Sequence, residues 1–343
     1  MLHRCHIWIL LTVWVVSLSW PTSIHAAFFA DLVVSYVPGA GVTALNHPSA
    51  AIGSPYSITG EEIAFPNVLS PMNPAFEPGQ VVQIGNGGHI TLRLGHFALL
   101  TSGPEIGVIN NVGLIDMNFP SGTATNPAAA FGDDTARVEV SEDGLVWVDL
   151  GAMLFNLPAN FYINAGPFDT MPPTSPLLAN FGKPFTGSLS TFDGLNYSAI
   201  LAALDGSGGG TWLDLSGTGL NQIGYIRFSL DENATTTFEL DAVVIANNAV
   251  GPMLPTLIPA DFDGDSDVDG DDFLQWQNHY PLASGASAFN GDADRDFDVD
   301  GDDFLQWQNQ FPFPAELMAI PQPTSVLSLA TVWLLSIGFR RKK

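Results

Sequence analysis

From Phe28 to about Asn248 the apolar residues come in short runs or strict alternation, cut repeatedly by glycine, proline or asparagine. No 3.6-residue period is sustained there, so the pattern predicts strands and tight turns. Val81–Ile84 and His89–Leu94, joined by Gly85-Asn86-Gly87-Gly88, read as one hairpin. Arg137–Val140 and Leu145–Leu150 read as a second, whose turn carries Asp143-Gly144 and so suits the positive φ of tight hairpins. Further strands are predicted over Tyr225–Leu230 and Thr237–Ile245, with one short helix over Tyr197–Leu204. About 220 residues of this kind suffice to close a mainly β sandwich of two layers.

The pattern changes at Asp261. There an acidic ladder reads DFDGDSDVDGDDFLQWQN to Asn278, and it recurs as DADRDFDVDGDDFLQWQN from Asp292 to Asn309. Counted from each first Asp, carboxylates stand at positions 1, 3, 5, 7, 9, 11 and 12. Oxygen ligands at 1, 3, 5, 7, 9 and 12 are how a twelve-residue loop wraps a hard cation, position 7 acting through its main-chain carbonyl. The expected ligands are therefore Asp261, Asp263, Asp265, Asp267, Asp269 and Asp272 for one Ca2+. For a second Ca2+ they are Asp292, Asp294, Asp296, Asp298, Asp300 and Asp303. Asp267 and Asp298 would contribute main-chain oxygens. Val268 and Val299, at position 8, are placed to pair the loops across a small core. Each loop runs into a short amphipathic helix ended by Pro281 or Pro312, with Phe273, Leu274, Trp276 and Tyr280, and Phe304, Leu305, Trp307 and Phe311, as the residues to bury. Neither half has an adequate core alone, so the two should form one unit, 261–312, after a linker over 249–260.

Charge supports this division. The ladders hold 14 of the 35 acidic residues, and only Arg93, Arg137, Lys183 and Arg227 are basic between Phe28 and Ala260. Nothing there neutralises phosphates, so nucleic acid is excluded as a partner. The ends carry their own signals. Arg4, the apolar run Ile7–Trp20 and Ala26-Ala27 read as a secretory signal over 1–26, and the single cysteine, Cys5, lies inside it. At the other end a linker with Pro321-Gln322-Pro323 (313–325) precedes the apolar Val326–Phe339 and the closing Arg340, Arg341, Lys342 and Lys343. Fourteen helical residues rise only about 21 Å, so this segment suits a sorting signal or membrane anchor better than a full span.

No catalytic constellation emerges. There is no HExxH or Gly-x-Ser-x-Gly motif. Glu61-Glu62 and Asp133-Asp134 are neighbours along the chain, and adjacent strand residues point to opposite faces. Trp147 and Trp212, with Asn110, Asn111 and Asp143, are candidates for a shallow sugar groove, although Trp147 in a β run suits a core position equally.

These motifs carry resemblances. The C-terminal order of proline motif, apolar segment and basic cluster resembles the PEP-CTERM sorting signal of Gram-negative bacteria, with Pro321-Gln322-Pro323 where that family has Pro-Glu-Pro. Gly88–Leu92, Gly103–Val108, Ala136–Gly144, Gly209–Leu215, Tyr225–Phe228 and Phe238–Val243 resemble, in order, the galactose-binding-like or discoidin-type jelly roll of such exported proteins. That resemblance implies a jelly-roll-like β-sandwich over 28–248 and a glycan as its ligand. The 261–312 region is similar to a type I dockerin, which implies a small α module with paired EF-hand-type calcium loops. It implies a cohesin-like or other envelope protein as partner; the family's recognition positions 10 and 11 hold Gly270-Asp271 and Gly301-Asp302 here. The expected protein is thus exported, resident at the cell envelope or surface, and non-catalytic. A secreted polysaccharide-degrading enzyme and a purely structural matrix protein remain the alternative readings.

Overall fold

The computed structural model describes residues 27–255, 258–265 and 267–312. The segments expected to be a secretory signal (1–26) and a sorting or anchor segment (313–343) lie outside the described residues. Among the described residues no helix is long and apolar enough to cross a membrane.

The chain is mainly β. Its strands are β1 (Phe28–Val37), β2 (Ile58–Thr59), β3 (Asn67–Val68), β4 (Val82–Ile84), β5 (His89–Leu99), β6 (Ile106–Asn110) and β7 (Gly113–Leu114). They continue as β8 (Ala130–Phe131), β9 (Asp134–Ser141), β10 (Trp147–Phe155), β11 (Thr211–Leu213), β12 (Gln222–Ser229), β13 (Phe238–Ile245) and β14 (Val250–Met253). Ten of them form one antiparallel sheet in the order β10-β9-β12-β5-β1-β13-β6-β11, with β14 on β5 and β4 on β13. β1 is the corner: Phe28 and Phe29 pair with β13, whereas Ala30 onward pairs with β5. Register shifts between Ala30 and Leu32 and between Val33 and Ser35 turn the strand.

Folding at that corner makes the two halves of the sheet face each other. Alternation decides what lies between them. Ile90, Leu92 and Leu94 of β5, Val138 and Val140 of β9, and Ile226 and Phe228 of β12 point inward. They meet Ile106, Val108, Phe238 and Leu240 from the other half. Phe155, Phe228 and Phe238 lock the halves, with ring centroids 5.1–5.9 Å apart. Each such ring contributes roughly 2–3 kcal/mol through burial. A helix, α1 (Tyr197–Leu204), stands where periodicity predicts it, capped by Asn196, whose side chain accepts from Ala199 N at 3.0 Å.

Two expectations fail here. β4 and β5 do not form a hairpin: β4 pairs with β13 and β5 with β1, β12 and β14. Gly85–Gly88 instead crosses from one half to the other, and it packs so tightly on Val37–Ala40 that a Cβ on Gly85 would stand 2.2 Å from the Ala40 carbonyl oxygen. The linker also starts late, because β14 lies inside 249–260 and pairs with β5 through Val250–Ala98 and Met253–His96. Arg93 then holds the chain that follows: its guanidinium chelates Asp31 (2.9 and 3.1 Å) and donates to the carbonyls of Leu254 and Pro255 (3.2 and 2.7 Å). The β9–β10 hairpin is as expected, with Trp147 opposite Ser141.

Two carboxyls give the sheet a pH dependence. Asp241, at an irregularity in β13, is fully buried with no hydrogen-bond partner for either oxygen, and burial raises its pKa well above the usual range. Asp134 is pushed up to about 8 by burial, then by its hydrogen bond to Glu239. Both folded pKa values exceed the unfolded value of roughly 4. The folded chain therefore holds more protons than the unfolded chain above that pH, and stability declines as pH rises toward the folded values. Melting temperature measured from pH 5 to 9 in excess divalent cation should fall for the native chain. It should fall less steeply for Asp241→Asn, which carries no proton to lose.

Candidate metal centre

The acidic repeats fold as loop and helix, twice. Helices α2 (Gly270–His279) and α3 (Gly301–Gln310) start at position 10 of each loop and stop before Pro281 and Pro312. Position 9, Asp269 or Asp300, is the N-cap, accepting from Asp271 N or Asp302 N at 2.7 Å. Position 12 closes the structure. Asp272 Oδ1 accepts from Phe262 N (2.6 Å) and Asp263 N (3.2 Å), and Oδ2 from Asp269 N (2.7 Å). Asp303 repeats this with Ala293 N, Asp294 N and Asp300 N at 2.7, 3.2 and 2.7 Å. Both carboxylates are fully buried. The shorter Asp, where a Glu is usual, thus draws the helix start onto the first turn of its loop.

Within each loop the alternate carboxylates coil the backbone around themselves. Asp263 accepts from Asp265 N (3.2 Å) and Asp265 from Asp267 N (3.1 Å). Asp294 accepts from Asp296 N and Asp296 from Asp298 N, at 3.3 and 3.2 Å. These bonds leave the other oxygens free to converge. Ligand atoms lie within 4.8 Å of one another in four groups: Asp261, Asp263 and Asp265; Asp267, Asp269 and Asp272; Asp292, Asp294 and Asp303; and Asp298, Asp300 and Asp303. Eleven of the twelve expected ligand residues therefore fall in a convergent group. Asp296 does not. Asp267 and Asp298, expected to offer main-chain oxygens, bring their side-chain carboxylates into these groups.

The donor set is all oxygen, with no histidine or cysteine in any group, and so fits a hard cation such as Ca2+ or Mg2+ rather than Zn2+. The charge pattern points the same way. Burial pushes Asp292 up to about 7 and raises Asp303, while the charge on Asp265 raises Asp267. Carboxylates crowded this closely hold protons in the absence of a cation and would release them to one.

The halves are joined reciprocally. Trp276 Nε1 donates to the carbonyl of Asp300 (2.8 Å) and Trp307 Nε1 to that of Asp269 (2.9 Å), so each indole ties its own helix to the opposite N-cap. Phe273, Trp276, Phe304 and Trp307 stack between the helices with centroids 5.1–6.0 Å apart. Below them Ala260, Phe262, Val268 and Ala293 form a small core. Val299 is buried like Val268, and its backbone bridges Leu282, with Val299 N donating to the Leu282 carbonyl at 2.8 Å. Leu274, Leu305 and Tyr280, expected to bury, are half exposed, the two leucines projecting away from the helix–helix seam that Phe273 and Trp276 occupy.

Loop 2 carries backbone strain at two non-glycine positions. Position 4 is left-handed in both, but it is Gly264 (φ 80°) in one and Arg295 (φ 68°) in the other; Phe297, at position 6, has φ 72°. Each non-glycine residue there costs about 1–2 kcal/mol.

The sugar-groove candidates are used structurally. Trp212 Nε1 donates to the Gly209 carbonyl (2.9 Å) and its ring packs against three core clusters. Trp147 Nε1 donates to the Gly144 carbonyl (3.0 Å), and the Arg227 guanidinium covers its ring at 4.1 Å. Asp143 binds the amides of Leu145 and Val146, and Asn110 is buried. Of the acidic pairs, Asp134 finds a partner in Glu239 on β13, but neither lines the neighbouring cavity bounded by Thr135 and the 231–236 turn. A scan against protein-family models returns no match, and a search of curated proteins returns none either.

Two outcomes follow from this geometry. Trp276→Phe and Trp307→Phe should each destabilise the helical unit by about 1 kcal/mol, the net worth of one hydrogen bond, and the double variant by about twice that, in denaturant titrations followed at 222 nm. Cation affinity should weaken as pH falls below about 7, where Asp292 takes up its proton, and isothermal titration in buffers of different ionisation enthalpy should register proton release on binding.

Proposed function

We propose that this is an exported, non-catalytic envelope protein. In this reading a jelly-roll-like sandwich is carried by a dockerin-like module that binds two calcium ions. The observation that carries it is the convergence of carboxylate oxygens in each acidic repeat, closed by a buried position-12 Asp. The loop followed by a ten-residue helix, occurring twice over Asp261–Gln310, supports the likeness to a type I dockerin. The corner at β1 and the facing halves of the sheet support the jelly-roll-like reading. Calcium is preferred over magnesium because a loop this rich in carboxylates offers six or more flexible oxygens, whereas Mg2+ keeps several waters and binds few carboxylates.

Attachment to an envelope partner through this module, and retention or sorting by the C-terminal segment, complete the proposal. The sandwich is the displayed part. With Trp147 and Trp212 bound into the framework, a glycan would have to use other side chains. The carboxyl pair of Asp134 and Glu239 is the one observation favouring an enzyme, and it lacks an adjoining cleft.

Calcium titration of the full chain by calorimetry tests the central claim. Two ions should bind, and Asp272→Ala or Asp303→Ala should each reduce the stoichiometry to one, with loss of helical signal. Binding unaffected by both substitutions would remove the metal assignment.

A further inference from the structure

The acidic unit does not stand apart from the sheet. Ser287, between the two loops, bridges Ser35 of β1. Two residues on, Phe289 joins Val34, Tyr225 and Leu254 in an apolar cluster on the outer face of the sheet. Its ring is wedged between the units: a Cβ on Gly144 of the β9–β10 turn would stand 3.4 Å from one ring edge, and a Cβ on Gly264 of loop 1 would stand 3.6 Å from the other. Phe297 of loop 2 packs against the sandwich core itself.

Loop 2 connects this contact directly to a metal ligand. Asp292 accepts from Arg295 N through Oδ1 (2.6 Å) and from Phe297 N through Oδ2 (3.1 Å). The carboxylate at position 1 therefore holds the left-handed turn at Arg295 and Phe297, and that turn aims the Phe297 ring at the sandwich. The Phe297 carbonyl accepts from Ala286 N (2.9 Å), which ties the same turn to the segment carrying Ser287 and Phe289. The contact is incomplete. A cleft of about 330 Å³ remains between the units, with Phe97, Glu142 and Tyr225 on the sandwich side and Asp261, Phe289 and Arg295 on the other. An interface made of two phenylalanine rings and one short backbone bridge, beside such a cleft, is one that can open.

We propose that loop 2 is the control arm of an intramolecular clamp, in which cation binding at Asp292 fixes the turn that seats Phe297 on the sandwich. This rests on the hard-cation reading of the acidic loops. Docking and loop 2 occupancy then form a single coupled equilibrium, so each strengthens the other by the same factor. The strain at Phe297 has a purpose in this scheme, because the side chain that makes position 6 awkward is the one that docks.

Phe297→Gly separates the clamp from a merely strained loop. Glycine accepts the positive φ freely, so strain relief alone would leave calcium affinity equal or higher. The clamp predicts the reverse: affinity at one of the two sites falls on the order of tenfold while the other is unchanged, by calorimetry on the full chain. Hydrogen–deuterium exchange gives a second readout. In the native chain calcium should slow exchange over the 141–147 turn and the 284–290 segment, and Phe297→Gly should abolish that slowing. Phe289→Ala, which alters neither loop, should do the same and weaken calcium binding. Unchanged or tighter binding in both variants, or calcium-independent exchange in the native chain, overturns the clamp. Failure of the native chain to bind calcium at all would overturn the metal reading instead.

Discussion

The acidic unit depends on two buried carboxylates, Asp272 and Asp303. Each gathers three backbone N–H groups that a loop end and a helix start would otherwise leave unpaired. That satisfies the backbone but concentrates charge, because each stands in a convergent group with further aspartates. A fold that closes its loops this way needs a cation or protons to offset the repulsion. Everything else in the unit, from the N-caps to the crossed indole bonds, is arranged around that closure.

The sheet supplies the frame. β1 turns the corner between the two halves, and its outer side then offers Val34 and Ser35 to the acidic unit. Arg93 fixes where the connecting chain leaves, by binding the carbonyls of Leu254 and Pro255 against the same strand pair. Only Ala260 and a few residues beside it then separate the sheet from the first loop. That short connection keeps the first loop close to the sheet, and Phe289, beyond α2, returns to its outer face.

Local chemistry was legible in the sequence wherever a short period or spacing dictates it. The helix over Tyr197–Leu204, the β9–β10 hairpin and eleven convergent aspartates all follow from patterns within a dozen residues. Non-local pairing was not. Gly85–Gly88 has the composition of a hairpin turn, yet the tight approach of Val37–Ala40 makes it a crossing between sheet halves. The bridge between Val299 and Leu282, a residue of the connector, is likewise a pairing that no local pattern announces. Asp241 sits in an otherwise apolar strand, and nothing in the sequence says that it is sealed without a partner. Phe289 lies in a connector with no periodicity at all, so its place between two units depends wholly on tertiary packing.

The duplication itself carries the last step. Over their twelve loop positions the cassettes differ only at 2, 4 and 6. At position 2 the exchange of Phe262 for Ala293 is accommodated within the shared small core, one large and one small residue filling it together. At positions 4 and 6 the second loop has Arg295 and Phe297, both at positive φ, and Phe297 packs on the core of the sheet. On the proposed reading the two loops divide the work: one closes the small helical unit around Phe262 and Ala293, and the other, through Phe297, joins that unit to the sheet.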